Sequence, residues 1–223
     1  MAKCAAEPAG RRLVGLLGGT FDPIHHGHLR MAEQLADALL LDEVRFIPCA
    51  NPPHRETPLT SAADRSAMVR LAIAGNPRFM LDERELQRSG ASYTIDTLLS
   101  LRAELGDETA LCLFMGSDAF IDFDRWHRWR EIPGLCHIVL VERPDAPMTA
   151  ALRPELQALL RERGTDQGSA LTACAAGHVM IQHIHALNIS ATAIRDDLHA
   201  KRSPRYLLPD VVLDFIRSRQ LYR

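Results

Sequence analysis

Histidines and glycines are concentrated in one segment near the start of the chain, Gly18–Leu29, which reads GGTFDPIHHGHL and is called the histidine segment below. His25 and His28 are spaced so that both imidazole rings can face one phosphoryl group. Gly18 and Gly19 let the backbone approach phosphate oxygens because no Cβ stands in the way. A helix that starts just after them offers unpaired N–H groups and a positive dipole end. The segment therefore predicts a site that binds nucleotide phosphates and stabilises charge developing on them.

The patterns on either side predict where the histidine segment lies. Residues 12–17 form a short apolar run that is typical of a buried parallel strand. From Leu29 to Leu39, apolar residues recur at helical spacing. The segment thus follows the carboxyl end of a strand, where open α/β sheets bind ligands. Its histidines could also bind a metal, but Asp22 is the one nearby carboxylate and no CxxC or HExxH accompanies it, so we predict no metal site.

A second segment, Ile189–Arg195 or ISATAIR, has residue types that suit the outer phosphates of ATP. Ser190 can cap a helix whose first turn holds Thr192, and Arg195 lies three residues further on the same face. Hydroxyls, helix N–H groups and a guanidinium would then surround the phosphates. Taken alone, Ser190 would more often be an ordinary N-cap and Arg195 a solvated charge. The pairing with the histidine segment favours the nucleotide interpretation.

Together the two segments resemble the signatures of the HxGH nucleotidyltransferase superfamily, and FDPIHxGHL resembles that of bacterial nicotinate mononucleotide adenylyltransferases. The resemblance implies an enzyme of NAD biosynthesis that transfers the adenylyl group of ATP to nicotinate mononucleotide, giving deamido-NAD and pyrophosphate. The implied reaction needs no side-chain nucleophile. His25, His28 and Arg195 are expected to act by positioning and charge stabilisation. We expect Mg²⁺ to accompany ATP, held mainly by phosphate oxygens and water.

The resemblance also implies contacts for residues outside the two signatures. Arg55, in the proline-rich loop NPPHR at residues 51–55, is expected to contact phosphate. Asp118 follows an apolar strand, where it could accept hydrogen bonds from ribose hydroxyls or simply cap a helix. The full set of expected ATP and phosphate contacts is Gly18, Gly19, Thr20, Phe21, Arg55, Gly116, Asp118, Ser190 and Thr192.

Three further residues are expected at the nicotinate ring. In the resembled family an aromatic side chain stacks on the pyridine, and the segment equivalent to Ser92–Thr94 lends backbone N–H groups to the carboxylate. We assign stacking to Trp126 and carboxylate recognition to Thr94. His127 stands where many relatives carry an aromatic residue, so its expected contribution is a backbone N–H contact. Core or surface packing is the ordinary role of a tryptophan in such a chain.

The whole chain alternates strand and helix patterns over 223 residues, of which 47% are hydrophobic. It predicts an α/β fold: a Rossmann-like, doubly wound parallel sheet flanked by helices in a single domain. We expect a flexible tail at 1–10 and a nucleotidyltransferase domain at 11–223 with an excursion at about 143–177. The predicted strands are 12–17, 43–48, 79–81, 110–115, 137–141 and 179–184, and helices are predicted at 27–39, 61–75, 93–105, 149–163 and 209–217.

Composition narrows the function classes. A formal charge of −2 gives no global basic field, so we expect small substrates, ATP and nicotinate mononucleotide, and no nucleic acid. No stretch approaches a membrane span, and five scattered cysteines are typical of reduced thiols in the cytoplasm. Nicotinamide mononucleotide, phosphopantetheine or a glycerol phosphate stay open as acceptors. A silent nucleotide sensor and a metal-binding protein also stay open, as does a class I aminoacyl-tRNA synthetase, although the chain contains no KMSKS-like segment. The chain could also form a homo-oligomer.

Overall fold

A central sheet in the computed structural model contains the apolar run that precedes the histidine segment. The structure describes residues 10–52, 58–142, 152–185 and 187–223. The strands in those ranges are β1 (Arg12–Gly19), β2 (Glu43–Pro48), β3 (Phe79–Leu81), β4 (Thr109–Gly116), β5 (His137–Glu142), β6 (Gly164–Thr165) and β7 (Val179–His183). They form one parallel sheet in the order β3-β2-β1-β4-β5-β7-β6.

Helices connect these strands and cover the sheet. They are α1 (His26–Ala38), α2 (Ala62–Ile73), α3 (Thr94–Leu105), α4 (Ser117–Ile121), α5 (Pro154–Arg163), α6 (Gly168–Ala173), α7 (Ala191–His199) and α8 (Asp210–Ser218), with 3₁₀ turns at Phe123–Arg125 and Trp129–Gly134. None of the helices in the described ranges combines the length and apolarity needed to cross a bilayer.

The strand order places a topological switch at the centre of the sheet. The chain moves outwards from β1 to β3 and then returns to pair β4 against the other side of β1. The loops that leave β1 and β4 therefore diverge and open a crevice at the carboxyl ends of these strands. The predicted α/β, doubly wound parallel sheet flanked by helices is confirmed.

Side chains of the sheet alternate between two apolar layers. In β4, Leu111 and Leu113 belong to the layer that includes Leu98 of α3, whereas Cys112 and Phe114 belong to the layer on the opposite face. Both faces of the strand are buried, as expected when helices cover both sides of a parallel sheet. The sheet beneath the crevice is therefore packed on both of its faces.

Most element boundaries agree with the sequence patterns to within a few residues, and the excursion shows the largest difference. Residues 149–151 of the predicted helix 149–163 lie outside the described residues, and the described helix begins at Pro154. The sequence analysis missed β6 and α6, which follow it within the predicted excursion. Two-residue β6 exists through pairing with β7, a contact that local sequence does not encode. The division into a tail and one domain stays a prediction, because residues 1–9 and 143–151 lie outside the described part.

Candidate active site

The two histidines of the HxGH pattern stack on each other where β1 passes into α1. Their ring centroids lie 3.8 Å apart with 23° between the planes. His25 is buried, and His28 is half-buried in the first turn of the helix. The backbone N–H of His25 donates to Nδ1 of His28 at 3.3 Å, so a neutral His28 carries its proton on Nε2. That tautomer makes Nε2 the hydrogen-bond donor that a phosphoryl oxygen requires.

Phe21 packs against the His28 ring of this stacked pair. Its ring is 2% exposed and meets the His28 ring edge-on, with centroids 5.1 Å apart. The backbone of Phe21 has φ +50°, and a Cβ at Gly19 would lie 3.2 Å from the Phe21 ring. The structure therefore places the Phe21 side chain in the core, so any phosphate contact from this residue would come from its backbone.

Asp22, which the sequence analysis did not assign to the site, organises the loop between the glycines and the histidines. Its carboxylate is 6% exposed and accepts hydrogen bonds from Thr60 Oγ1 at 2.7 Å, from Tyr222 OH at 2.6 Å and from the Leu59 amide at 2.9 Å. Its main-chain carbonyl accepts a bond from Arg195 Nη1 at 2.8 Å. The partners are distant in sequence, so the local pattern could not reveal them.

The ISATAIR segment forms the start of α7 and meets the histidine segment through that last contact. Ser190 caps the helix, since its Oγ accepts from the Ala193 amide at 3.4 Å. Arg195 also donates to Thr192 Oγ1 at 3.2 Å. The structure thus brings together the two segments that carry the resemblance, although 173 residues separate Arg195 from Asp22.

A buried arginine that the sequence analysis also missed ties two loops together beneath the site. Arg65 is 1% exposed, and its guanidinium donates to the carbonyls of Thr20 at 2.7 Å and Ala50 at 3.3 Å. Burial lowers the pKa of Arg65, and the charge of Asp22 opposes that shift. Because one carbonyl follows β1 and the other follows β2, Arg65 fixes the spacing of the two loops.

A cavity of about 350 Å³, called the central cavity below, opens at the carboxyl ends of β1, β2 and β4. It gathers residues expected at both substrates from four separate parts of the chain. The residues predicted from sequence that line it are Gly18, Gly19, Thr20, Thr94, Asp118, Trp126 and His127.

One wall of the central cavity combines aromatic rings with a helix N-terminus. Trp126 is half-buried and packs edge-on against Phe123, with ring centroids 5.6 Å apart. His127 is exposed, and its ring packs on Tyr93 at 4.4 Å. Helix α3 begins beside them at Thr94, and the first N–H groups of a helix have no partner within it. The wall can therefore receive a flat ring that carries an anionic group.

Ser92 holds this wall against the loop after β2. Its hydroxyl oxygen accepts hydrogen bonds from the amides of Ala50 and Asn51, each at 3.2 Å. Its own amide donates to the carbonyl of Asn51 at 3.0 Å. Asn51 begins the proline-rich loop that contains Arg55, and Arg55 itself lies outside the described residues.

The thiol in the cavity wall is unsuited to covalent chemistry. Burial, with a smaller contribution from the charge of Glu85, raises the pKa of Cys49 to about 11. The thiol is therefore protonated at neutral pH, and a protonated thiol is a poor nucleophile. Glu85 is itself buried and accepts a hydrogen bond from Thr97 Oγ1 at 2.7 Å.

The end of β4 leads to a carboxylate that also lines the central cavity. Gly116 precedes α4, and a Cβ there would lie 2.5 Å from Asp118 Oδ1. An alanine there would push the Asp118 carboxylate away from its position beside the strand end. Asp118 is exposed and lines the central cavity, where a carboxylate can accept hydrogen bonds from ribose hydroxyls.

Comparison with known proteins places this arrangement in a family. The cytidylyltransferase-like family model matches residues 16–197. A probable nicotinate-nucleotide adenylyltransferase from Marinobacter nauticus is 49% identical over 207 residues, covering 93% of this chain and 95% of that relative. One of the same name from Pseudomonas aeruginosa strain UCBPP-PA14 is 48% identical, covering 96% of this chain and 98% of that relative. This chain belongs to the nicotinate-nucleotide adenylyltransferase family. The predicted resemblance and the predicted class of enzyme, a nucleotidyltransferase, are confirmed.

A distant solved structure shares the fold of this adenylyltransferase. The structure of Plasmodium falciparum nicotinic acid mononucleotide adenylyltransferase complexed with NaAD superposes with a TM-score of 0.70 at 16% identity. The match covers 95% of this chain and 97% of that one. At such low identity the likeness concerns the arrangement of the sheet and helices, and the roles of individual side chains must be argued from this chain's own geometry.

Proposed function

We propose that the enzyme binds nicotinate mononucleotide in the central cavity and ATP along the histidine segment, and joins them in one in-line displacement. A phosphate oxygen of nicotinate mononucleotide forms a bond to the α-phosphorus of ATP. The bond from that phosphorus to the oxygen bridging to the β-phosphorus breaks, so pyrophosphate leaves and deamido-NAD forms. The observation that carries this proposal is the central cavity, which joins an aromatic wall and helix N-terminus to the glycines after β1.

The pyridine ring would stack on Trp126, and its carboxylate would face the N-terminus of α3 at Thr94. A helix N-terminus favours an anion through its unpaired N–H groups and its dipole. Nicotinamide carries a neutral amide at this position and gains less there, so the same geometry supports a preference for nicotinate. His127 contributes its backbone N–H in this arrangement, because its side chain packs on Tyr93.

The phosphates of ATP would lie against Gly18, Gly19 and the backbone that follows them. His25 and His28 face the transferring phosphoryl group, where preorganised donors stabilise the charge that develops in the transition state. At the departing pyrophosphate, the proposed partners are the side chains of Ser190, Thr192 and Arg195, and Arg55 is proposed to contact phosphate. Asp118 and Gly116 would contact the nucleoside.

A divalent ion, which we propose to be Mg²⁺, would enter with ATP. Within the described ranges, no group of three histidine, cysteine or acidic side chains is placed to hold a metal. The donor set therefore suits an ion held by phosphate oxygens and water, which is the usual state of Mg²⁺ beside a nucleotide. The ion, when bound, neutralises charge on the phosphates, and the residues named above orient them.

A cytoplasmic location is also part of the proposal. The described cysteines, Cys49, Cys112, Cys136 and Cys174, are free thiols, which persist in a reducing compartment. Burial raises the pKa of Cys112 to about 12, so this thiol is inert as well as inaccessible.

A matched pair of tryptophan variants tests the proposed pyridine site. Trp126 and Trp129 pack on Phe123 with nearly the same geometry, 5.6 and 5.7 Å between centroids and 69° between planes, but Trp126 lines the cavity. Loss of ring stacking costs on the order of 1.5 kcal/mol, so Trp126→Ala should raise KM for nicotinate mononucleotide about tenfold. Trp129→Ala should lower stability and leave that KM unchanged. Equal KM values for the two variants would contradict the assignment of Trp126.

A further inference from the structure

Asp22 is hydrogen-bonded to three parts of the chain that are distant in sequence. Its two carboxylate oxygens accept hydrogen bonds from the segment that leads into α2, through Leu59 and Thr60, and from the C-terminal end of the chain, through Tyr222. Its main-chain carbonyl binds Arg195 of α7. The position of one loop residue is thus determined by three elements that are distant in sequence.

Tyr222 is anchored for this contact although it is next to last in the chain. Helix α8 buries Val212, Leu213 and Ile216 in one apolar layer and packs against α2. Tyr222 follows this helix, is 9% exposed and directs its hydroxyl onto Asp22 Oδ1 at 2.6 Å. Burial, together with the hydrogen bond to Asp22, raises the pKa of Tyr222, so the hydroxyl keeps its proton and serves as the donor.

We propose that Tyr222 is a positioning residue for adenylyl transfer, whose hydroxyl holds Asp22 and thereby the relative placement of His25 and Arg195. The inference rests on the phosphate roles of His25 and Arg195 in the proposed function. It follows because residues 20–25, between β1 and α1, form neither helix nor strand. Arg65 fixes the start of this loop at the Thr20 carbonyl, and the Asp22 contacts hold the part that leads to His25. Arg195 is held by the Asp22 carbonyl itself.

Loss of the Tyr222 hydroxyl should lower kcat and leave KM for nicotinate mononucleotide unchanged. Small displacements of groups around a transition state lower the rate steeply. Tyr222→Phe keeps the buried ring and removes the donor to Asp22, so we expect kcat to fall about tenfold. KM for nicotinate mononucleotide should be unchanged, because Trp126 and Thr94 belong to a different wall of the site.

The experiment measures kcat, both KM values and the thermal midpoint of wild type, Tyr222→Phe, Thr60→Val and Tyr206→Phe. Thr60→Val removes the second hydroxyl that donates to Asp22 Oδ1 and should give the same split between kcat and KM. Tyr206 is 82% exposed, so Tyr206→Phe is the matched control for loss of a tyrosine hydroxyl and should resemble wild type.

A merely structural role predicts a different pattern. A lower midpoint with wild-type kcat in folded Tyr222→Phe would overturn the proposal, and so would a rise in KM for nicotinate mononucleotide with kcat unchanged. If Tyr222→Phe does not fold, Thr60→Val decides by the same criterion. A wild-type protein that forms no deamido-NAD would instead refute the proposed function, and the role of Tyr222 with it.

Discussion

We expect replacement of His28 by alanine to impair catalysis and to leave the enzyme folded. The substitution removes the ring that stacks on His25 at 3.8 Å and carries the proposed Nε2 donor. Loss of one preorganised donor to a transition state costs about 2.7–4 kcal/mol, or roughly 10²–10³ in kcat. We therefore expect His28→Ala to release pyrophosphate about 10²–10³ times more slowly than wild type when both substrates are saturating.

The same substitution should weaken the fold moderately without unfolding it. His28 is half-buried in the first turn of α1, and alanine has the better helix propensity by a few tenths of a kcal/mol. The lost edge contact with Phe21 and the lost stacking on His25 each cost about 0.5–1.5 kcal/mol, and the hydrogen bond from the His25 amide is lost as well, so we expect a net destabilisation of about 1–3 kcal/mol. For a chain of this size, each kcal/mol moves the thermal midpoint by about 2–4 °C.

The assay is pyrophosphate release from ATP and Mg²⁺ with nicotinate mononucleotide, run beside a thermal unfolding curve of each protein. His26→Ala is the matched control, because His26 lines a separate groove between α1 and the end of α2, together with Leu29 and Glu33. It should keep the wild-type kcat. A folded His28→Ala enzyme with a kcat comparable to wild type would refute the role of His28 and the charge-stabilisation argument built on it.

Two further predictions test the packing of the glycines in β1 and the charge of Asp82, which follows β3. A Cβ at Gly18 meets no atom within 4 Å and would enter the central cavity, so Gly18→Ala should raise the KM of ATP at an unchanged thermal midpoint. Gly15→Ala places a Cβ 2.4 Å from Cζ of Phe114 and should instead destabilise the fold by about 1–3 kcal/mol. A lower thermal midpoint in Gly18→Ala, or a higher KM of ATP with an unchanged midpoint in Gly15→Ala, would contradict these assignments. Burial tends to raise the pKa of Asp82, but hydrogen bonds from Arg84 outweigh burial, and the net effect lowers that pKa. The ionised carboxylate therefore stabilises the fold at pH values above the ordinary pKa, and this stabilisation is lost as the pH falls through the lowered pKa. Asp82→Asn should therefore reduce the free energy of unfolding measured in urea at neutral pH, and the difference from wild type should shrink below about pH 4. An equal loss of stability at neutral and at acidic pH would contradict the stabilising role of the Asp82 charge.

The sequence predicts the parts of this enzyme whose signals are local. Strand β4 shows a continuous apolar run because both of its faces are buried. Ser190 caps its helix as predicted, accepting a hydrogen bond from the amide three residues on, and Ser61 caps α2 in the same way. The HxGH spacing places two imidazoles on one helix turn by geometry alone. Each of these features depends on residues that are close together in sequence, so one short segment is enough to predict it.

The missed parts depend on partners that are far away in sequence. Asp22 belongs to a familiar motif, yet its roles as an acceptor arise from Thr60 and Tyr222, which tertiary packing brings to it. Arg65 has the sequence context of an ordinary helix residue, and its burial appears only when α2 packs beneath two loops. The packing of His127 on Tyr93 likewise joins segments that no local spacing relates.

The most direct test of the central claim is acceptor choice in a single assay. Purified protein, ATP and Mg²⁺ are mixed with equal concentrations of nicotinate mononucleotide, nicotinamide mononucleotide or phosphopantetheine, and pyrophosphate release is followed together with product identity. We predict rapid release with nicotinate mononucleotide, formation of deamido-NAD, and much slower release with the other two. Faster release with another acceptor would contradict the assignment of Trp126 and Thr94 to the nicotinate ring, and no release with any acceptor would contradict adenylyl transfer itself.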